Sequence, residues 1–195
     1  MPNTPELVAV NLEWAYRFLG YGPLVLVSTT DGLKPDVSTV AWCAPCAKNP
    51  PTLMIAIGKS HKTYRNIMKT GYFGINLPGP EHLDMVMYAG TVSGNDTDKF
   101  KQRGLRPWYG QTIGKLPLMQ ESVAWLECRI VPGVEAGDHS IIIARAEAAW
   151  CRPGVLLDDH TWNTVDYPTL HHLGGRRFLV GKDEVLADPV RRSEY

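Results

Sequence analysis

Apolar residues along the chain fall in short runs set apart by glycine, proline and turn residues, a pattern of strands and small helices rather than long ones. The run 23–30, Pro-Leu-Val-Leu-Val-Ser-Thr-Thr, is rich in β-branched residues and enters Asp31-Gly32, a strong turn signal. In the next run, 36–42, Val37, Thr39 and Ala41 alternate with Ser38, Val40 and Trp42, so the two runs predict a hairpin. Asn49-Pro50-Pro51 breaks the chain before a strand over 52–57. Tyr64, Ile67 and Met68 stand at i, i+3 and i+4 and predict a short helix over 63–70, closed by Gly71 and followed by a strand over 72–77. Leu83, Val86 and Met87 share one face of a helix over 80–89, and 97–102 reads as one or two further helical turns before Gly104. Residues 105–120 carry Gly, Pro, Trp and Tyr without a period and read as a surface or interface loop. Two longer strands, 123–131 and 140–150, are joined as a hairpin through Pro132-Gly-Val-Glu-Ala-Gly-Asp-His139, and a last short strand lies near 177–180. At the start, a helix with Leu7, Trp14 and Phe18 as its apolar residues ends at Gly20.

About six strands with small inserted helices predict a mainly β fold, an antiparallel barrel. Helices long enough for repeated βαβ crossovers are missing, as is a G-x-G-x-x-G fingerprint, so a Rossmann sheet is not expected. No repeat or long linker divides the 195 residues, which predicts one domain with its core at about 20–181 and two terminal appendages. The 20 basic and 20 acidic residues cancel, which argues against a nucleic-acid partner. No apolar run approaches the ~20 residues of a membrane-spanning helix. The opening Met-Pro-Asn-Thr-Pro lacks a basic stretch followed by an apolar one, so the expected location is the cytoplasm, with no membrane partner. Four cysteines in a chain of this length do not make a disulfide framework; free thiols are expected.

Chemistry concentrates in Gly58-Lys-Ser-His-Lys-Thr-Tyr-Arg-Asn-Ile67. Ser60 stands where a helix N-cap belongs, which would leave the N–H groups of Lys62 and Thr63 unpaired and aimed outward. Such a helix end binds anions, and Lys59, Lys62 and Arg65 add cations while Ser60 and Thr63 add hydroxyls. The same residues also describe an ordinary capped helix with a solvated basic face. Ser38, Thr39, Val40, Ala41 and Trp42 could line a slot for a flat heterocycle; on the strand pattern alone, a routine strand with a core Trp is the simpler reading. Cys43-Ala-Pro-Cys46 could be a redox dithiol or half a zinc site. It follows a strand rather than opening a helix, no second C-x-x-C exists, and His171-His172 has no metal-ligand spacing, so inert thiols and no metal are expected.

Taken in order, Gly-Pro-Leu-Val-Leu-Val-Ser-Thr-Thr-Asp-Gly (22–32), Ser-Thr-Val-Ala-Trp (38–42), Asn-Pro-Pro (49–51) and Ser-His-Lys-Thr-Tyr-Arg-Asn-Ile (60–67) resemble the flavin reductase-like family. Gly-Tyr-Phe-Gly-Ile-Asn-Leu-Pro (71–78), Ser-Gly-Asn-Asp-Thr-Asp-Lys-Phe (93–100), Leu-Glu-Cys-Arg-Ile (126–130), Gly-Asp-His (137–139) and His-Leu-Gly-Gly-Arg (172–176) continue the series. Within the family the chain is most similar to the flavoredoxin-like branch. The resemblance implies an FMN-binding split barrel, a six-stranded Greek-key barrel acting as a homodimer with the flavin near the dimer interface. It matches the phosphate-binding segment to Ser60, His61, Lys62 and Thr63, and the ring and ribityl contacts to the strand from Ser38 to Trp42. Ser93, Gly94 and Lys99 are implied to approach the flavin, with Lys99 near N1 and O2; a solvated helical lysine is the alternative. His139 is implied as an NAD(P)H contact, and Tyr167–Gly175 as a loop near the flavin, with His171 and His172 at a substrate entrance or a dimer interface. Two activities follow from the resemblance. One is NAD(P)H-dependent flavin reduction, with hydride transfer to FMN N5 and reduced flavin passed to a monooxygenase or another redox partner. The other is a flavoredoxin-type electron carrier with permanently bound FMN. A barrel that binds no flavin is a third reading.

Overall fold

The computed structural model describes residues 22–187 together with Phe18. The helix expected before Gly20 and the end of the C-terminal tail lie outside the described residues. The strands are β1 (Val25–Thr30), β2 (Pro35–Val40), β3 (Cys43–Ala47), β4 (Thr52–Gly58), β5 (Tyr72–Leu77), β6 (Pro107–Tyr109), β7 (Pro117–Met119), β8 (Ala124–Ala136), β9 (His139–Cys151), β10 (Thr169–Gly174) and β11 (Arg177–Gly181). The helices are α1 (Lys62–Thr70), α2 (Leu83–Thr91), which follows a 3-10 turn at Pro80–His82, and α3 (Lys99–Arg103).

Seven strands form one antiparallel sheet in the order β2-β1-β5-β8-β9-β4-β3. Its two edge strands, β2 and β3, are consecutive in the chain and separated by Ala41 and Trp42 alone. The two edges are thus joined through this two-residue bend, a seam along which the sheet stays unclosed, and beside it the Ala56 N–H donates to the Trp42 carbonyl at 2.9 Å, extending the β3–β4 ladder. Counted as one strand, β2 and β3 leave the six-stranded barrel that the pattern predicts.

Strand alternation builds two cores. Val25 and Val27 of β1 point into the barrel with Val40, Ile55, Ile57, Phe73 and Ile75, where Ile67 of α1 closes one end. Leu24 and Leu26 point the other way and pack with Val37 against Val86, Ala89 and Phe100 from α2 and α3. Every residue of β1 is consequently buried, and the outer face of β2 is roofed by α2 and α3. That roof positions the functional groups described below.

Several expectations need correction. Residues 105–120 are not a surface loop: β6 and β7 pair as a small hairpin, and Ile113, Leu116, Leu118 and Met119 are buried. Strands of three residues are too short to show a period. The β8–β9 arm turns only at Gly137-Asp138 and carries Pro132 and Gly133 in a bulge where the register shifts between Val131 and Val134. His139 is thus the first residue of β9 rather than part of a turn. Asp98 accepts the Lys101 N–H at 3.0 Å and caps α3, which starts at Lys99 rather than Thr97. The strands β3 and β10 had no predicted counterpart.

Candidate functional site

The link from β4 into α1 brings the first chemistry together. His61, not Ser60, is the N-cap, with extended backbone (φ −72°, ψ 143°) and no side-chain capping bond. His61 N–H turns back to the Gly58 carbonyl at 3.1 Å, so the tight turn ends one residue later than the Ser60 assignment requires. The expected outcome for the backbone still holds: the first N–H groups of α1, on Lys62 and Thr63, have no partner inside the helix, and no acidic residue stands in its first turn. Of the three cations, Lys59 is paired with Glu135 of β8. Arg65 donates to the Ser60 carbonyl at 2.8 Å and to Asn95 Oδ1. Lys62, whose ammonium donates to the Gly94 carbonyl at 3.0 Å, is the one that lines the cavity at the helix start.

That cavity measures about 280 Å³. Ser60, His61, Lys62 and Thr63 form one wall; Ser38 of β2 and Ser93, Gly94 and Lys99 form the others. A second cavity of about 160 Å³ is lined by Thr39, Val40, Ala41 and Trp42, with Gly58 and His139 opposite, and His61 belongs to both. The two cavities share His61, and between them they are lined by the strand from Ser38 to Trp42, by Ser60 to Thr63 and by Ser93, Gly94 and Lys99, together with His139, whereas Lys59, Arg65 and the loop 167–175 stand outside them.

The side chains differ in what they offer. The Thr39 hydroxyl donates to the Val86 carbonyl at 2.5 Å, and Val40 packs into the barrel core, so both give the cavity mainly backbone. Trp42 is not a core residue: it is 40% exposed, and its ring lies 4.9 Å from that of His139, centroid to centroid. His139 Nδ1 is 2.7 Å from Asp138 Oδ1, and this hydrogen bond holds the Asp138 carboxyl below its ordinary range.

Lys99 is not a solvated helical lysine. It is 3% exposed, and its ammonium donates to the carbonyls of Val37 (2.7 Å) and Ala89 (2.9 Å). Burial pushes its pKa down against the attraction of Asp36. Asp36, which sequence reasoning missed, is buried on the cavity wall beside Lys99. Burial raises its pKa more than the charges of Lys99 and Lys62 lower it. The available signal was its spacing: Asp36 and Ser38 stand two apart on β2 and share a face. Gly90, Thr91 and Asn95, also on the walls, carried no such mark.

Other candidates fall elsewhere. Cys43 Sγ lies 3.4 Å from the Pro23 carbonyl and burial pushes its pKa up to about 11, the reverse of a reactive thiol. All four cysteines are free, and neither Cys43 nor Cys46 lines the two cavities. His171 contacts Thr169 Oγ1 (2.8 Å) and the Gly22 carbonyl (3.3 Å), and His172 the Gly175 carbonyl (3.1 Å); both stand on β10, outside the cavity walls. Among the described residues, no three His, Cys, Asp or Glu side chains gather as a metal site, and no helix is long and apolar enough to cross a membrane.

Residues 20–174 match the family described as flavin reductase like domain. The chain belongs to the flavin reductase-like family. An uncharacterised Escherichia coli protein, YddH, is 33% identical over 192 residues, which cover 93% of this chain and 98% of its own. The flavin reductase (NADH) of Kitasatospora aureofaciens is 31% identical over 135 residues, 67% of each chain. The flavoredoxin of Desulfovibrio vulgaris (Miyazaki F) superposes with a TM-score of 0.79 at 26% identity, covering 97% of this chain and 98% of that one. The curled antiparallel sheet is the split barrel of these flavin reductase-like proteins.

Proposed function

We propose that this flavin reductase-like chain is an FMN-binding oxidoreductase that reduces its flavin with NAD(P)H and delivers the electrons to an acceptor or partner protein. The observation that carries the reading is the junction of the two cavities at His61, one polar and opening on a helix N-terminus, the other flanked by an exposed indole. The residues present fit FMN. The N–H groups at the start of α1, the Lys62 ammonium and the hydroxyls of Ser60 and Thr63 would hold the phosphate. The strand from Ser38 to Trp42 would flank the ribityl chain and ring, with Ser93, Gly94 and Lys99 on the far wall.

The flavin, when bound, supplies the hydride and electron chemistry, so no protein nucleophile is required. The protein's part is orientation and electrostatics. Lys99, buried and held by two carbonyls, keeps a positive charge on the cavity wall and favours negative charge on whatever ring atoms lie against it. His139, oriented by Asp138 and backed by Trp42, marks the open side from which a nicotinamide would approach. The active form in this reading is a cytoplasmic homodimer whose second chain covers the flavin.

The test is anaerobic addition of NADH, and separately NADPH, to the FMN-loaded protein while the flavin absorbance is followed. Bleaching by either nucleotide within seconds is expected. A flavin that stays bound and oxidised with both would overturn the reductase reading in favour of an electron carrier, which the near-complete overlap with a flavoredoxin also supports.

A further inference from the structure

The tip of the β8–β9 arm, which carries His139, projects beyond β5, the neighbour of its base. From Val131 to Ala136 every residue of β8 is exposed, and among the described residues this stretch pairs with β9 alone. A cavity of about 390 Å³ opens between the arm and α1, lined by Met68 on one side and by Val131, Pro132, Glu135 and Ile141 on the other. Apolar packing therefore does little to fix the tip. Polar contacts across β8, β9 and β4 do more. Glu135 of β8 stands opposite Ser140 of β9, which stands opposite Ile57 of β4. The Ser140 hydroxyl donates to Glu135 Oε1 at 3.1 Å, the Lys59 ammonium pairs with Glu135 Oε2, and the Lys59 N–H donates to the Asp138 carbonyl at 3.2 Å. The bond between Lys59 and Glu135 holds the Glu135 carboxyl below its ordinary range and raises the Lys59 ammonium, so both ends stay charged.

His139 precedes Ser140 on β9, and successive residues of a strand face opposite ways. The polar contacts thus grip one face of the arm while His139 leaves the other, where its ring meets that of Trp42 on the wall of the smaller cavity. The ladder between β9 and β4 ends at the pair His139 and Gly58, and the bond from Glu135 to Lys59 is the tie that continues past it. Where this tie sets the tip decides how closely His139 approaches Trp42. We infer that Lys59 and Glu135 form a clasp that positions His139 over the smaller cavity, so that Glu135 is a positioning residue for the nicotinamide side of the flavin. The inference rests on the reductase reading and adds to it two residues that line neither cavity of the flavin site. With side chains 40% and 62% exposed, the pair is screened by solvent, so its loss shifts the tip rather than unfolding the barrel.

The experiment follows tryptophan emission and NAD(P)H kinetics in wild type, in Glu135→Ala and in the charge swap Lys59→Glu/Glu135→Lys. In the flavin-free protein, Glu135→Ala should change the emission in the direction that His139→Ala does, and should leave it unchanged once Trp42 is replaced by Phe. In the FMN-loaded protein, Glu135→Ala should raise the KM for NADH or NADPH about threefold, the scale of a solvent-exposed pair, with kcat and FMN affinity within about twofold of wild type. Lys59→Met, which opens the clasp from its other end, should act as Glu135→Ala does, and the charge swap should recover most of both losses. Emission of Glu135→Ala equal to that of wild type, or a change just as large without Trp42, would overturn the inference. So would an unchanged KM, or a charge swap no better than the single variants. A wild-type protein that oxidises neither nucleotide would overturn the reductase reading instead, and the emission comparison, which needs no flavin, would still decide whether the clasp positions His139.

Discussion

The rings of Trp42 and His139 face each other at 4.9 Å with their planes inclined by 38°. Trp42 lies in the bend between the two edge strands, and His139 pairs with Gly58 at the far end of β4. The contact thus forms at the barrel seam, beside the turn that starts α1. Because Trp42 is partly exposed and lines the smaller cavity, Trp42→Ala should shift the visible bands of bound FMN and remove most of the tryptophan quenching that accompanies binding. Bands identical to those of the wild-type complex would leave Trp42 with a role at the seam alone.

The buried Asp36 carboxyl has a consequence for the flavin-free protein. Its folded-state pKa is raised by burial, so above the ordinary carboxylate pKa the native state holds a proton that the unfolded chain has released. Stability from this group is therefore present at low pH and declines as pH rises through that window. Asp36→Asn does not titrate there. Its stability relative to wild type should rise as the pH is raised above the ordinary carboxylate range, as measured by urea midpoints. A constant difference, or one of opposite sign, would contradict the burial argument.

Glu127 of β8 supports the neighbouring layer. Its fully buried carboxylate accepts N–H groups from Gln111 (2.7 Å), Thr112 (3.3 Å) and Ile113, which fixes the link between β6 and β7. Glu127→Ala would orphan these donors and should cost about 3 kcal/mol or more in denaturant unfolding. A loss below about 1 kcal/mol would mean that the link is held by its apolar residues instead.

How far the sequence went can be followed through these residues. Strands β1, β2, β4 and β5 and the start of the β8–β9 arm announce themselves by alternation and by the turn residues around them, and the resemblance to the flavin reductase-like family follows the same order. Strand β3 does not: Cys-Ala-Pro-Cys-Ala has no alternation, and its extended form comes from pairing with β4, where Cys43 faces Ile55. At the site, the spacing marks a helix start at Ser60–Thr63. That Lys62 lines the cavity while Lys59 and Arg65 turn aside depends on Glu135 and Asn95, partners distant in the chain. The burial of Asp36 and Lys99 has the same origin, since α2 and α3 roof β2 only in the folded molecule.

The cysteines give an independent check of the packing. Burial pushes Cys43 up to about 11 and, with the charges of Glu127 and Glu147, Cys128 up to about 12, whereas Cys46 and Cys151 are exposed. At pH 8 a thiol of pKa 11 is about one part in a thousand thiolate. A disulfide reagent should accordingly modify Cys46 and Cys151 quickly in the native protein, and Cys43 and Cys128 only on unfolding. Rapid labelling of Cys43 would place it in a more open setting than the one described.

The most direct test of the central claim is to compare the affinities of FMN and riboflavin, which differ by the phosphate, in wild type and in the double variant Lys62→Ala/Thr63→Ala. A phosphate held by the start of α1 gains several charge-assisted hydrogen bonds, each contributing about 1.5–3 kcal/mol. Wild type should therefore prefer FMN by roughly a hundredfold or more and retain it through gel filtration, and the double variant should lose most of that preference. Equal binding of FMN and riboflavin by wild type, or an unchanged preference in the variant, would contradict the assignment of this helix end as the flavin phosphate site.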